Sequence, residues 1–399
     1  MVSNYRREIS SEKELFLAIC MIAGSIGKET IAAMIKDMGE SKVRSTIIHT
    51  LKRNKYIKKI GNHESYDYII TSAGIDYLRD KCPNKYNYLE YEATVADEHK
   101  YETRIRRRRR IGSLILYSLY KEGVSITDHS KDFKRIVKGE TVNLGTPYFV
   151  TPKEFAKAHS RLLTSLGSKM YGVIVARSCI FLVYSPETRN HVFSRHEDES
   201  VKTVTSILRN AKPPYNQPSN TEILFMYKDS ADVVASFKRQ EKQKGRNAST
   251  YNFYENLVMK NSYIYSIKDN PYRLSEIFDI NYLKDVTATF CNHFKIAPQR
   301  IQGYDYLHVA GTCHEDGKEY VTYSLWTFSP TALVCALNYA ANNKLGDNQK
   351  IMLMCYEKQI DWIKQILTAK QEYRNKFRVA FLHYQSMNDY INGITDFVE

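Results

Sequence analysis

Four acidic residues around one predicted hairpin are the part of the chain best suited to metal-dependent chemistry. They are Asp305, Glu315, Asp316 and Glu319, with Lys318 among them. Two or three carboxylates can hold Mg²⁺ and a lysine can orient an attacking water, as a nuclease requires. The residues do not stand in the Asp…Glu-x-Lys order, however, and residues 315–318 are also typical of a polar turn. The pattern leaves a nuclease site and a solvated hairpin open, and it favours the hairpin.

Other catalytic and cofactor-binding patterns do not occur in the sequence. No two histidines stand two residues apart, and there is neither a G-x-S-x-G nor an H-E-x-x-H motif. Residues 24–30 resemble a phosphate-binding loop, but the glycines are too close together and Glu29 stands where Ser or Thr is required. The sequence predicts no cofactor and no metal. It favours a protein without catalysis of its own, with a metal-dependent DNA nuclease or nickase as the alternative.

A basic stretch near the N-terminus carries the strongest functional signal. From Ser41 to Ile60 the chain has seven lysines or arginines and no acidic residue. Cationic side chains neutralise DNA phosphates and release counterions, whereas short polar side chains and histidine suit base edges. The candidate DNA-binding residues are Ser41, Lys42, Arg44, Ser45, His49, Lys52, Arg53, Lys55, Lys58 and Lys59, with His63 in the following turn.

Hydrophobic spacing predicts the elements that position these side chains. Ser11 and Glu14 form a capping box at the start of the first helix. In the third helix Val43, Ile47 and Leu51 recur at helical spacing and mark a core face opposite the basic residues. The predicted order is a helix over 11–23, a helix over 28–35, a third helix over 41–54, strands over 56–60 and 66–70, and a helix from 71.

This order, and the run Tyr68-Ile69-Ile70-Thr71-x-x-Gly74-x-x-x-Leu78, resemble the winged helix-turn-helix superfamily. The resemblance implies a winged helix whose third helix and hairpin, the wing, face duplex DNA. A winged helix that binds protein, with its basic face solvated, is the alternative.

An arginine run follows a polar, tyrosine-rich segment that begins at Cys82. Arg104 and Arg106–Arg110 place six arginines within seven residues, and no proline interrupts the chain from Val95 to Glu122. This predicts a long helix. Two or three of the arginines, Arg106, Arg107 and Arg110, are candidates for contact with the DNA backbone, while others pair with acids upstream. The alternative is a solvated helix face.

Strands and helices alternate over the remaining residues, up to a predicted closing helix over 384–394. Continuous apolar strands separated by helices favour a sheet covered on both faces. No internal repeat is evident. The predicted fold is an α+β N-terminal winged helix followed by a larger α/β part. The predicted domains are 1–81 (DNA-binding), 82–122 (hinge and arginine-rich linker helix), 123–220 (α/β subdomain) and 221–399 (α/β C-terminal domain).

The domain order and the winged-helix pattern of residues 11–80 resemble the replication-relaxation type of proteins carried by plasmids and integrative elements. The resemblance implies a DNA-binding protein of a mobile element, acting in replication, transfer or transcription control. It also implies a nuclease-like fold for the α/β part, degenerate here because the acidic motif does not match.

Charge and composition agree with a nucleic-acid partner. The chain has 399 residues and a net charge of +14, which favours a polyanion. No apolar run is long enough to span a membrane, and the seven cysteines form no metal-binding pattern. We therefore expect a cytoplasmic protein that binds double-stranded DNA and no membrane. A second copy or other proteins of a nucleoprotein complex are further candidate partners.

Overall fold

The computed structural model divides the chain into two units, residues 1–131 and residues 132–399. They are called the N-terminal and C-terminal units below. Helices and mixed sheets together place the protein in the α+β class, whereas the sequence predicts that class for the N-terminal part and α/β for the rest. The structure describes residues 11–62, 65–81, 104–127, 130–142, 145–152, 154–155, 170–185, 195–216, 221–243, 262–270, 272–278, 288–289, 291–297, 309–315, 317–325, 329–342, 345, 349–367, 375–382 and 392–396.

In the N-terminal unit the helices pack around a small antiparallel sheet with strand order β1-β3-β2. The elements in chain order are α1 (Ser11–Ala23), β1 (Ile26–Gly27), α2 (Lys28–Met38), a π-helix (Lys42–Ile48) continuing into α3 (His49–Arg53), β2 (Ile57–Gly61), β3 (Tyr66–Ile70), α4 (Ser72–Lys81) and α5 (Arg104–Lys121). The π-helix and α3 together are called the third helix. The sequence analysis missed β1, a two-residue strand that exists only through its pairing with β3.

The arginine-rich helix α5 belongs to the N-terminal unit, where it packs on α1, α2 and β1. Its buried residues run from Ile111 to Leu119 and, unexpectedly, include Arg106. The sequence analysis places this helix in a separate linker over 82–122. The structure instead makes α5 part of the core of the N-terminal unit, because its apolar half packs on α1 and α2. Residues 82–103 lie outside the described residues.

Thr71 and Gly74 fix the passage from β3 into α4. The Thr71 hydroxyl donates to the Lys55 carbonyl (2.6 Å) and accepts from the Gly74 backbone N–H (3.2 Å), which caps the helix. The helix then passes so close to Tyr56, the residue before β2, that a Cβ on Gly74 would lie 2.4 Å from the Tyr56 carbonyl oxygen. This explains in physical terms why the Thr-x-x-Gly pattern stands here.

The C-terminal unit contains two five-stranded mixed sheets in the part of the chain that the structure describes. Its elements are α6 (Ser130–Val137), β4 (Tyr148–Val150), β5 (Gly172–Val175), β6 (Ile180–Tyr184), α7 (Arg195–Leu208), β7 (Thr221–Tyr227), α8 (Ser230–Gln243), β8 (Ser262–Ser266), α9 (Leu274–Ile277), β9 (Val309–Glu315), β10 (Lys318–Ser324), α10 (Pro330–Asn342), β11 (Gln349–Tyr356), a 3-10 turn (Glu357–Gln359), α11 (Ile360–Leu367), β12 (Phe377–Leu382) and β13 (Asn392–Asp396). Strands β5 to β8 are buried along their whole length, as strands covered on both faces are.

Both sheets repeat one order of elements. Each contains an antiparallel hairpin, β5–β6 or β9–β10, followed by two parallel strands that are added through two helices. A fifth strand pairs antiparallel in each sheet: β4 with β5 in the first and β13 with β12 in the second. The register of the first parallel pair is also shared. The last residue of β6 pairs with the residue two before Tyr227, the end of β7. The last residue of β10 pairs with the residue two before Tyr356, the end of β11. The equivalent helices α8 and α11 pack on each other. The C-terminal unit therefore contains an architectural repeat that the sequence analysis missed.

Two sequence-based boundaries in this unit need correction. The proposed division between residues 220 and 221 separates β6 from β7, although these strands pair in one sheet. The closing helix predicted over 384–394 is wrong at its end, because residues from Asn392 form β13, which pairs antiparallel with β12. Residues 384–391 lie outside the described residues. In both cases pairing with a strand distant in sequence determines the structure, and local helical propensity does not reveal that pairing.

The close approach of Gly74 to Tyr56 predicts how a substitution at Gly74 changes the free energy of unfolding. We expect Gly74→Ala to lower the free energy of unfolding by about 1–3 kcal/mol, because the new methyl group overlaps a backbone carbonyl that cannot move freely. The exposed neighbour Ala73 gives a matched control: Ala73→Ser should change stability by less than about 0.5 kcal/mol. Urea unfolding of the full chain measures both, and equal stability of the two variants would contradict the close packing.

Candidate nucleic-acid interface

The third helix separates an apolar face from a polar one, as its spacing predicts. Val43, Ile47 and Leu51 are at most 1% exposed. Every candidate residue on the opposite face is exposed: Ser41, Lys42, Arg44, Ser45, His49, Lys52 and Arg53. The helix is anchored by one side and presents the other, which is the arrangement a groove-binding helix requires.

Carboxylates engage two of these cations at the surface. Lys42 contacts Glu12 at 2.7 Å, and Arg44 contacts Glu40 at 2.7 Å, four residues earlier. Contacts with the Tyr66 side chain and with Glu40 raise the pKa of Arg44, so it keeps its charge. Exposed pairs of this kind contribute little to stability and exchange readily for another anion. They therefore leave both residues able to contact phosphate.

The β2 strand adds further exposed cations. Lys55 precedes it in the left-handed backbone region with φ of 58°, and Lys58 and Lys59 lie within it, all three exposed. His63, the predicted contact in the turn, lies outside the described residues. The basic residues of the stretch from Ser41 to Ile60 thus reach the surface from the third helix, from β2 and from the turn between them.

Tyr66, which the sequence analysis did not single out, lies at the centre of a group of cations. Lys59 Nζ is 4.2 Å and Lys28 Nζ is 5.1 Å from the centroid of its ring, and Arg44 contacts the same side chain. Lys28 begins α2, Arg44 lies on the third helix and Lys59 on β2, so one ring gathers charge from three elements. These four residues are called the Tyr66 cluster. The sequence signal was the alternation of β3, which puts Tyr66 and Tyr68 on one face.

The opposite face of β3 holds a buried ion pair with the arginine run. Asp67 is fully buried, and its two carboxylate oxygens accept hydrogen bonds from Arg106 Nε (2.8 Å) and Arg110 Nε (2.5 Å). Ser65 accepts two more: its carbonyl from Arg106 (3.2 Å) and its hydroxyl from Arg110 (2.6 Å). Because Arg106 and Arg110 are four residues apart, both reach β3 from one side of α5.

These contacts correct the surface role that the sequence analysis gave to Arg106. Its side chain is 2% exposed and its charge is directed at Asp67, so it does not face solvent. Arg110 is 14% exposed and shares the same carboxylate. Arg107, the third arginine assigned to DNA, is exposed. The run therefore divides between the interior and the surface, which six arginines in succession do not reveal.

Glycines make room for the arginine stems. A Cβ on Gly27 would lie 2.6 Å from Arg110 Cγ, and one on Gly61 would lie 2.6 Å from Arg106 Nη2 and 2.2 Å from the Ser65 carbonyl oxygen. Gly61 also has φ of +93°, in the region that favours glycine. Gly27 and Gly61 thus allow the close approach of α5.

Polar contacts tie the rest of α5 to α2. The hydroxyls of Thr30 and Ser113, both buried, lie 2.8 Å apart, and the Tyr117 hydroxyl donates to Asp37 at 2.8 Å. Burial, and then the Asp37 carboxylate, raise the pKa of Tyr117. The phenol therefore stays protonated and remains a donor.

The two hairpin glutamates that the structure describes, Glu315 and Glu319, do not lie together. Glu315 lies opposite Lys318 in the β9–β10 ladder, while Glu319 lies opposite His314, so the two glutamates project from opposite faces of the sheet. Glu315 contacts Arg378 at 3.0 Å. Asp305 and Asp316 lie outside the described residues. Among the residues that the structure describes, no three His, Cys, Asp or Glu side chains are grouped so as to hold a metal ion.

Comparison with protein families, with curated proteins and with solved structures finds no match for this chain. Within the described ranges, no helix has the length and apolar character needed to cross a membrane.

The buried ion pair makes a second stability prediction. We expect Asp67→Asn to lower the free energy of unfolding by about 3–5 kcal/mol, because it leaves two guanidinium groups without their buried counter-charge. Asp76→Asn, at an exposed position of α4, is the matched control and should change stability by less than about 0.5 kcal/mol. Urea unfolding compares them. A loss below about 1 kcal/mol for Asp67→Asn would mean that the ion pair is dispensable.

Proposed function

We propose that the N-terminal unit is a winged helix-turn-helix in which the third helix is the recognition helix and the β2–β3 hairpin is the wing. The order of α1, α2, the third helix, the hairpin and α4 supports this assignment. The apolar face of the third helix also supports it, because that face anchors the helix on α1 and α2.

Duplex DNA is the ligand we propose for this unit, bound without catalysis. One observation carries the proposal: all seven basic residues between Ser41 and Ile60 are exposed, and this stretch of sequence contains no acidic residue. Six of the seven lie on the two elements that a winged helix presents to DNA, and Lys55 lies between these elements. Lys and Arg would contact phosphates, and Ser41, Ser45 and His49 would face base edges. Arg107 and His63 remain candidates for additional contacts at either side.

The biological setting we propose is a plasmid or integrative element, where the protein would act in replication, transfer or transcription control. The resemblance of its domain order to replication-relaxation proteins supports this part. A winged helix that contacts protein is the competing assignment, and DNA binding at physiological salt separates the two.

The salt dependence of binding tests the interface. We expect Lys52→Ala and Arg53→Ala each to reduce the slope of log K against log [salt] by about 0.9, because each removes one phosphate contact. The measurement is fluorescence anisotropy of a labelled mixed-sequence duplex between about 50 and 200 mM KCl. Lys36→Ala, an exposed lysine of the same unit outside the basic stretch, is the control and should leave the slope unchanged.

Equal slopes for the wild type, Lys52→Ala and Arg53→Ala would show that the third helix does not contact the DNA backbone. Wild-type binding without any salt dependence would reject electrostatic recognition as a whole.

A nicking assay tests the proposed absence of catalysis. We expect supercoiled plasmid incubated with the protein and Mg²⁺ to stay supercoiled, because Glu315 and Glu319 lie on opposite sheet faces and cannot share a metal ion. Glu319→Ala should behave as the wild type does. Metal-dependent relaxation that Glu319→Ala abolishes would instead establish a nuclease at this hairpin.

A further inference from the structure

We infer that Arg106 and Arg110 are positioning residues for the DNA interface: from inside the protein they hold the β3 segment that organises the Tyr66 cluster. The inference rests on the proposed function and adds to it two residues that do not contact the ligand. Arginine runs that bind nucleic acid usually contact the polyanion with the charges themselves, whereas these two arginines act from the interior of the protein.

The chain is anchored on both sides of Tyr66. Arg106 and Arg110 together bind both carboxylate oxygens of Asp67, and they also bind the carbonyl and the hydroxyl of Ser65. Ser65 and Asp67 immediately flank Tyr66 in the chain. Four charge-assisted hydrogen bonds thus fix the backbone on either side of this ring, and bonds of this type are stronger than neutral ones.

The Tyr66 cluster lies on the other face of the same strand. Side chains alternate along a strand, so Tyr66 projects from the face opposite Asp67. There its ring contacts Lys59 and Lys28, and its side chain contacts Arg44. Cations held over an aromatic face are oriented before any ligand arrives. The cost of ordering three flexible side chains is then reduced when DNA binds.

The described ends of the wing lie against Arg106 and Arg110. Gly61 pairs with Tyr66 at the end of the β2–β3 ladder, and a side chain at Gly61 would overlap both Ser65 and Arg106. The Ser65 backbone N–H also donates to Asn62 Oδ1 at 2.7 Å. The described ends of the wing therefore close directly on the two arginines, and a change in either arginine should reach the wing first.

A double-mutant cycle on duplex binding by the full chain tests this inference. Arg110→Gln leaves Asp67 paired with Arg106, and Tyr66→Leu removes the ring and hydroxyl that gather the cations. We expect each single variant to weaken binding about tenfold, the order of one lost charge-assisted hydrogen bond. We expect the double variant to bind no worse than about twofold below the weaker single variant, because both changes disrupt one unit.

Two further variants separate positioning from loss of charge. Ser65→Ala removes the hydroxyl acceptor of Arg110 without removing any charge, and it should weaken binding about threefold, less than Arg110→Gln does, because the ion pair with Asp67 remains. Arg108→Gln removes one charge from an exposed position of the same helix and should change binding less than about twofold. Thermal unfolding confirms that each variant is folded. Ser65→Ala keeps the test valid if Arg110→Gln does not fold.

Each outcome bears on the inference. Additive losses, with the double variant about a hundredfold weaker, would overturn it, because independent effects multiply. Arg110→Gln lowering the salt slope by about 0.9 in both the wild-type and the Tyr66→Leu backgrounds would show direct phosphate contact instead. A wild-type chain that does not bind duplex would overturn the proposed function as well. Binding with additive losses would overturn the positioning role alone.

Discussion

The carboxylate of Asp67 lies in the interior of the N-terminal unit with two guanidinium groups, and the arrangement of that unit depends on this ion pair. β3 is the central strand of its sheet, so the group on Asp67 is held at the middle of the unit. Arg106 and Arg110 reach it only if α5 lies close to β1 and to the end of β2, where glycines allow the approach. Removing one partner of a buried ion pair is costly because the other is left unpaired. The pair therefore fixes which arginines of the run face inward.

That choice has a consequence at the surface. Once Arg106 and Arg110 face β3, helical geometry turns Arg107 and Arg108 outward, and both are exposed. The opposite face of β3 carries Tyr66, around which three elements supply cations. At Tyr66 and Asp67 one strand thus has surface cations on one face and buried arginines on the other. The basic residues of the third helix do not depend on this arrangement, since their own apolar face holds them in place.

The sequence predicts the features that depend on nearby residues, and it does not predict those set by distant partners. Helical spacing around Leu51 identifies the third helix and its buried face, which the structure confirms. The burial of Arg106 depends on Asp67, 39 positions away, and arginine runs are normally solvated. The strand at Asn392 likewise forms through its pairing with β12. The repeat in the C-terminal unit is a repeat of strand topology and pairing register, and the sequence composition does not reveal either.

The most direct test of the central claim measures the arginine side chains themselves. In ¹⁵N-arginine spectra of the full chain, exchange of the Nε–H protons with water reports whether each guanidinium is buried and hydrogen-bonded. We expect slow exchange for Arg106 and Arg110, because hydrogen bonds to a buried carboxylate protect the proton, and fast exchange for Arg53, which is exposed on the third helix. Duplex DNA should leave the slow pair protected. Fast exchange of Arg106 and Arg110 in the free protein would contradict the account, and so would protection that appears only when DNA is added.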